Sequence, residues 1–257
     1  MTSNGPALVT DAITMQFGGL IAVSRVSLRF AVGDVTAIIG PNGAGKTTTF
    51  NVISGLLTPT AGRIEFLGTD ITGWAPHRIA ALGLARTFQN VQLFPNLNVV
   101  ENVIASRYCR TRSTFAGAVL GLPRERAERR RTREVAEELL AWVGIADKRL
   151  LMPGELPYGD QRRLEIARAL ATEPRLVMLD EPSAGMVPSE ARGLIDLIGK
   201  LKERGLTILL IEHNMNVVMS ISDWIAVLNF GQKIAEGTPA AVRTNAEVIE
   251  AYLGAEA

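Results

Sequence analysis

The sequence is poor in three things, and each absence narrows what the chain can be. It has a single cysteine, Cys109, and no C-x-x-C, so no internal disulfide can form and a reducing, cytoplasmic setting is expected. It has almost no excess charge: 27 Lys plus Arg stand against 26 Asp plus Glu, a net +1 with no broad field to gather nucleic acid or anionic lipid. It also lacks long apolar runs. LTILLI, 206–211, is among the longest and falls far short of the roughly 20 residues that span a bilayer. The opening MTSNGPALVTDAITMQF shows no basic end followed by an apolar run, so no secretory signal is expected. No repeat, low-complexity tract or long linker divides the chain. What is abundant is apolar residue, 47% of the total with mean hydropathy +0.18. That amount serves a large core without metal or disulfide staples and leaves room for an apolar docking surface.

The apolar residues are organised. VTAIIG precedes GKTTTFNVISGL, LVMLDE precedes PSEARGLIDLIGKLKE, and LTILLIE precedes HNMNVVMSI. Short buried runs alternating with helix-like segments predict an α/β core with a parallel sheet. The first 35 residues differ: ALVTDAITMQF and LIAVSRVSLRF flank Gly18-Gly19 and predict an antiparallel hairpin, a β layer added to the core. Between about 90 and 160 the strand signal disappears. PRERAERRRTREVAEELLAWVG predicts a long helix in a helical insertion, and its arginines alternate with glutamates as on a solvated, salt-bridged face.

The strongest motif is GPNGAGKT, directly after the strand VTAII. Gly40, Pro41, Asn42, Gly43, Ala44, Gly45, Lys46 and Thr47 fit G-x-x-x-x-G-K-[ST] before a helix predicted to begin near Gly45, with Thr48 next in its first turn. Glycines let such a loop turn its N–H groups inward around phosphates; Lys46 is then placed for the β and γ phosphates and the Thr47 hydroxyl for Mg²⁺. LVMLDE supplies the carboxylates. Asp180 is expected to hold Mg²⁺ through water, and Glu181 to orient or deprotonate the water that attacks the γ phosphate. ILLIEH leaves His213 just past a buried strand, within expected reach of the same phosphate.

LPYGDQRRLEIARAL, 156–170, reads as a loop opening a basic amphipathic helix. A helix start offers unpaired N–H groups and partial positive charge, hence a place for an anion, although taken alone the same letters fit a helix that faces water.

With these motifs in this order, the chain resembles the nucleotide-binding subunit of ABC transporters over nearly its whole length. The resemblance implies a single nucleotide-binding domain over 1–257, a P-loop NTPase fold. Its β layer and α/β core occupy 1–89 and 163–235, a signature-bearing helical subdomain 90–162, and a helical tail 236–257. It implies that ATP with Mg²⁺ is bound and hydrolysed. It places LPYGDQRRLEIARAL where the family's signature loop binds ATP held by the other subunit of a head-to-tail dimer, identical or related. It makes Phe17 the aromatic that stacks on adenine, and Gln89 the residue that joins the metal site to a membrane permease subunit. RTFQNVQLFPNLNVVENV, the insertion STFAGAVLGLP and the ending TNAEVIEAYLG look most like the ATPase subunits of branched-chain amino-acid importers, and lipopolysaccharide-export ATPases share much of this. The implied partners are permease subunits and, indirectly, a solute-binding protein, with no nucleic acid. The implied location is the cytoplasmic face of the inner membrane, peripherally attached.

The sequence departs from the family pattern at three positions. Pro157 stands where Ser is usual and removes a hydroxyl and an N–H; Asp160 stands for a neutral residue; Val187 replaces the Asp of the following loop. The donors expected at the helix mouth are then the amides of Tyr158, Gly159 and Asp160, with Asp160 repelling a triphosphate. Weak ATPase activity of the isolated chain is expected, and a dimerisation switch with little hydrolysis is the alternative.

Overall fold

A computed structural model describes residues 5–111 and 123–253. Most of the insertion STFAGAVLGLP and the last residue of TNAEVIEAYLG lie outside them. Two sheets form the frame. The hairpin β1 (Leu8–Phe17) and β2 (Leu20–Phe30) pairs antiparallel around Gly18-Gly19 as expected, with Phe17 opposite Leu20. β4 (Ala61–Phe66) and β5 (Thr69–Asp70) extend it into a four-stranded layer ordered β2-β1-β4-β5. The second sheet has six strands in the order β10-β9-β3-β8-β7-β6. These are β3 (Val35–Ile39), β6 (Leu84–Arg86), β7 (Leu176–Asp180), β8 (Thr207–Ile211), β9 (Trp224–Asn229) and β10 (Gln232–Gly237). All its pairings are parallel except β9–β10. The result is the α/β P-loop core with an antiparallel β layer that the sequence predicts.

The uninterrupted apolar runs are explained by burial on both faces. Every residue of β3, β7 and β8 is buried. Successive side chains alternate between two cores, because strand periodicity is two. Ala37, Ile39, Val177, Leu179, Ile208 and Leu210 face one core; Ile38, Leu176, Met178, Leu209 and Ile211 face the other. The second core is completed by Phe30, Phe50 and Phe66, between the two sheets. Each such aliphatic side chain contributes about 1.5–3 kcal/mol on burial.

The helices are α1 (Lys46–Ile53), α2 (Pro76–Leu82), α3 (Val99–Ser106), α4 (Pro123–Val143), α5 (Tyr158–Ala171), α6 (Pro188–Glu203), α7 (Met215–Ile221), α8 (Pro239–Arg243) and α9 (Ala246–Leu253). α3 opens with a capping box in which Asn98 Oδ1 accepts from Glu101 N–H and Glu101 Oε2 accepts from Asn98 N–H, both at 2.9 Å. α3, α4 and α5 pack on one another through Val99, Val103, Ala136, Leu140, Leu164 and their neighbours, the helical region expected between 90 and 160. α5 runs on through position 162, tying that region to the sheet. The carboxyl ends of β3, β6, β7 and β8 converge, where ligands of open α/β sheets bind.

Candidate functional site

β3 ends at Ile39 and α1 begins at Lys46, so residues 40–45 form the connecting loop. Two glycines make it possible. Gly40 has φ +151°, and a Cβ there would lie 2.0 Å from the Leu228 carbonyl oxygen; Gly45 has φ +93°, and a Cβ would lie 2.6 Å from the Ala22 oxygen. The β9–β10 turn supports the loop from outside, Gly231 N–H donating to the Ala44 oxygen at 3.1 Å. No side chain caps the start of α1, which leaves its first N–H groups facing the loop interior. The buried Lys46 ammonium donates to the carbonyls of Gly40 and Pro41, each at 2.8 Å. Burial pushes its pKa below the ordinary lysine value. A charged amine resting on two neutral carbonyls inside an amide-lined turn is an arrangement an anion can recruit.

The two acids after β7 have different surroundings. Asp180 is buried, and its Oδ2 receives Arg86 Nη2 at 2.8 Å. Burial raises its pKa, and Arg86 opposes that shift. Arg86 Nη1 also donates to Asn51 Oδ1 of α1 and to Ser54 Oγ just past its end, both at 2.8 Å, so one guanidinium joins the helix behind the loop to the strand-end carboxylate. Glu181 sits at φ +46°, a left-handed conformation that costs a non-glycine residue about 1–2 kcal/mol. Its N–H donates to the Ile211 oxygen at 2.9 Å, anchoring it to the neighbouring strand. The side chain is held at both oxygens: Gln89 Nε2 donates to Oε2 at 2.9 Å, and His213 Nε2 lies 2.8 Å from Oε1. With Glu181 ionised, His213 donates from Nε2. Three residues that the sequence separates by 92 and 32 positions thus meet beside the loop.

Residues 42–48 of the loop and the first turn of α1, Gln89, Glu181 and His213 share one cavity of about 470 Å³ with Leu20, Ile21, Ala22, Phe230 and Gly231. Phe17 does not line it. It ends β1 at the hairpin beside Leu20, half exposed. Phe230 is 86% exposed at φ +45° and does line it, a residue sequence reasoning passed over. Its signal was an aromatic immediately before Gly231 in a tight turn.

The second helix mouth lies at α5. Pro157 provides no side-chain cap. Among the amides expected there as donors, Asp160 N–H is engaged, donating to the Pro157 oxygen at 3.0 Å. The Asp160 carboxylate, expected to repel an anion, forms an ion pair with Lys148, which offsets that repulsion. Tyr158 is partly exposed and its ring packs under Gly185. Val187 is exposed and immediately precedes α6, its N–H received by Glu190 Oε2 at 3.2 Å.

Between β6, α2, α3 and α5 runs a groove of about 550 Å³, walled by Phe88, Leu93, Phe94, Ile79 and Leu84 with Arg86 and Arg168. Arg168 lies 4.8 Å from the Phe94 ring centroid. Phe88 is one residue from Gln89, so groove and cavity share a wall.

A Gly-rich loop thus opens an uncapped helix beside two strand-end carboxylates, and comparison with known proteins identifies the family of the chain that carries them. The sequence profile of the family "ABC transporter" matches residues 23–184. The chain belongs to the ABC transporter family. A second profile, "Branched-chain amino acid ATP-binding cassette transporter", matches residues 232–257 of this ABC chain. It is 46% identical over 250 residues to the high-affinity branched-chain amino acid transport ATP-binding protein BraF of Pseudomonas aeruginosa, covering 97% of this chain and 98% of that one. The crystal structure of a nucleotide-free ATP-binding cassette from an ABC transporter superposes with TM-score 0.84 at 33% identity, covering 96% and 98% of the two chains. The dimeric structure of a bacterial ABC transporter cassette superposes with TM-score 0.77 at 25% identity over 90% of this chain and 98% of that one. The protein is therefore an ABC-type ATPase, and its cassette binds ATP.

The donors at the loop are of the kind magnesium takes. Thr47 is exposed and offers a hydroxyl, and Asp180 offers a carboxylate on which Arg86 takes Oδ2, both hard oxygens. Magnesium binds through one or two protein oxygens and keeps several waters, which two such donors suit.

Proposed function

We propose that this chain is the ATP-hydrolysing subunit of a transporter for branched-chain or related amino acids, driving two copies, or one copy and a related subunit, through a cycle of closure and reopening. The observation that carries the catalytic part is Glu181, held by Gln89 and His213 at the lip of the Gly40–Thr47 loop. In this reading Lys46 leaves the Gly40 and Pro41 carbonyls for the β and γ phosphates, while the amides of residues 42–48 bind the remaining oxygens. Thr47 and Asp180 would hold Mg²⁺, with Gln89 beside them, and the ion would neutralise charge on the phosphate oxygens. Phe17 stacks on adenine. Glu181 orients the attacking water and takes its proton as the γ phosphorus–oxygen bond to ADP breaks, and His213 fixes the carboxylate and reaches the γ phosphate. The partner's Tyr158–Asp160 segment closes over that phosphate from the other side. Because the Asp160 amide is already engaged, Tyr158 and Gly159 supply the backbone donors. The dimeric neighbour and the branched-chain relatives support this assembly.

The groove beside Gln89 is the seat for a membrane subunit's cytoplasmic segment: it is apolar, it carries two arginines, and it adjoins the residue that touches Glu181. No described helix is long and apolar enough to cross a membrane. In this reading attachment is peripheral, at the cytoplasmic face of the inner membrane, with a solute-binding protein acting through the membrane subunits. Fractionating cells that express the chain with and without its permease subunits tests this. The chain should pellet with membranes only when they are present, and pelleting unchanged without them would refute the assignment.

A nucleotide-gated switch with slow hydrolysis is favoured by one observation, the uncapped Pro157 helix mouth with its Asp160 amide engaged. ATP-trapped dimers of the unmutated chain would support it.

A further inference from the structure

Arg162 is fully buried, 2% exposed, and its hydrogen bonds reach the backbone of Gln89 rather than Glu181 or His213. A buried guanidinium is costly unless its donors are used, so what it binds is informative. Arg162 Nη1 donates to the Phe88 carbonyl at 2.8 Å and lies 3.1 Å from Glu165 Oε2; Nη2 donates to the Gln89 carbonyl and, at 2.8 Å, to the Tyr158 hydroxyl. Glu165 Oε1 receives Phe88 N–H at 3.0 Å. Two charged residues one helical turn apart on α5 thus grip the Phe88–Gln89 backbone from both sides. Gln89 in turn holds Glu181. Tyr158, the first residue of α5, packs its ring below Gly185 in the loop that leads from Glu181 to α6.

We infer that Arg162 is a positioning residue for hydrolysis: with Glu165 it fixes the Phe88–Gln89 backbone to the mouth of α5, so that Gln89 meets Glu181 only when that mouth is in place. The inference deepens the proposed reading of the site and rests on it. It follows from the bonds themselves. A planar guanidinium reaches four acceptors at fixed angles, and an ammonium at the same position cannot. Nucleotide seated at the mouth by a partner would press on Tyr158, and the load passes through Nη2 to the Gln89 carbonyl.

The test is a double-mutant cycle on ATP turnover of the chain assembled with its membrane subunits, using Arg162→Lys, Gln89→Ala and the pair. Arg162→Lys should lower kcat about tenfold, the loss of two charge-assisted bonds, with KM nearly unchanged. In the Gln89→Ala background the same change should cost under about twofold, because its effect is transmitted through Gln89. Additive losses, or a loss confined to KM, would overturn the inference. Should Arg162→Lys melt far below the wild type, Tyr158→Phe, which removes one hydroxyl and keeps the ring, enters the same cycle; a kcat deficit of about threefold that vanishes with Gln89→Ala is expected, and a deficit that persists refutes it. No turnover by the unmutated assembly would instead refute the reading of the site itself.

Discussion

Two of the uncapped helix mouths among the described residues, at Lys46 and at Tyr158, are built differently. The first is a preformed anion seat. Its loop is shaped by Gly40 and Gly45, no side chain competes for its amides, and its Lys46 rests on carbonyls it can leave. The second is braced and occupied: the Asp160 amide is spent on Pro157, the Asp160 carboxylate on Lys148, and Glu190 Oε1 lies 2.8 Å from where a Cβ on Gly159 would be. One mouth is ready for phosphate in a single chain. In the proposed reading the other offers fewer donors to a partner's nucleotide, so the two halves of a head-to-tail site need not grip equally.

Mutations can sharpen that contrast. The largest effect is expected from Glu181→Gln, which keeps the shape beside the first mouth and removes the base: phosphate release should fall about 10²- to 10³-fold while Mg-ATP still binds and dimers accumulate. A variant that turns over at the wild-type rate would show that Glu181 is not the base. Pro157→Ser restores a capping hydroxyl to the second mouth, where such caps contribute about 0.5–2 kcal/mol, and turnover should rise about two- to tenfold. Equal turnover of the two proteins would remove the basis for a weak second grip. Smallest is Lys148→Ala, which bares the Asp160 carboxylate toward an incoming triphosphate. ATP-driven dimerisation, followed by light scattering, should weaken about two- to threefold at low salt and recover as salt screens the charge. A loss insensitive to salt would assign Lys148 a packing role.

The first mouth was legible because its chemistry is contiguous. Eight consecutive residues between a buried strand and a helix specify the turn, the amides and the lysine, and Asp180-Glu181 and His213 end strands whose apolar runs announce themselves. The hairpin was equally plain, since alternating residues flank two glycines. The second mouth was legible as a helix start but not in its electrostatics. Nothing in Asp160 points to Lys148 across a helical turn and two loops, so an isolated reading assigned it a repulsion that the ion pair offsets. Arg86 and Arg162 were hidden for the same reason. Each stands in a quoted motif, RTFQN and LPYGDQRR, where arginine usually reads as a solvent-facing charge, and only folding shows each buried against acceptors 94 and 74 positions away. Phe17 and Phe230 illustrate the reverse. The family pattern draws attention to Phe17, whereas the turn geometry that puts Phe230 on the cavity depends on a left-handed residue no spacing rule foresees.

Calorimetry of Mg-ATP binding to the purified chain and to Lys46→Ala tests the central claim most directly, that residues 40–47 enclose the terminal phosphates beside Asp180 and Glu181. The account predicts a saturable heat for the unmutated protein that is lost with Lys46→Ala at equal nucleotide concentration. Indistinguishable isotherms for the two proteins would contradict it.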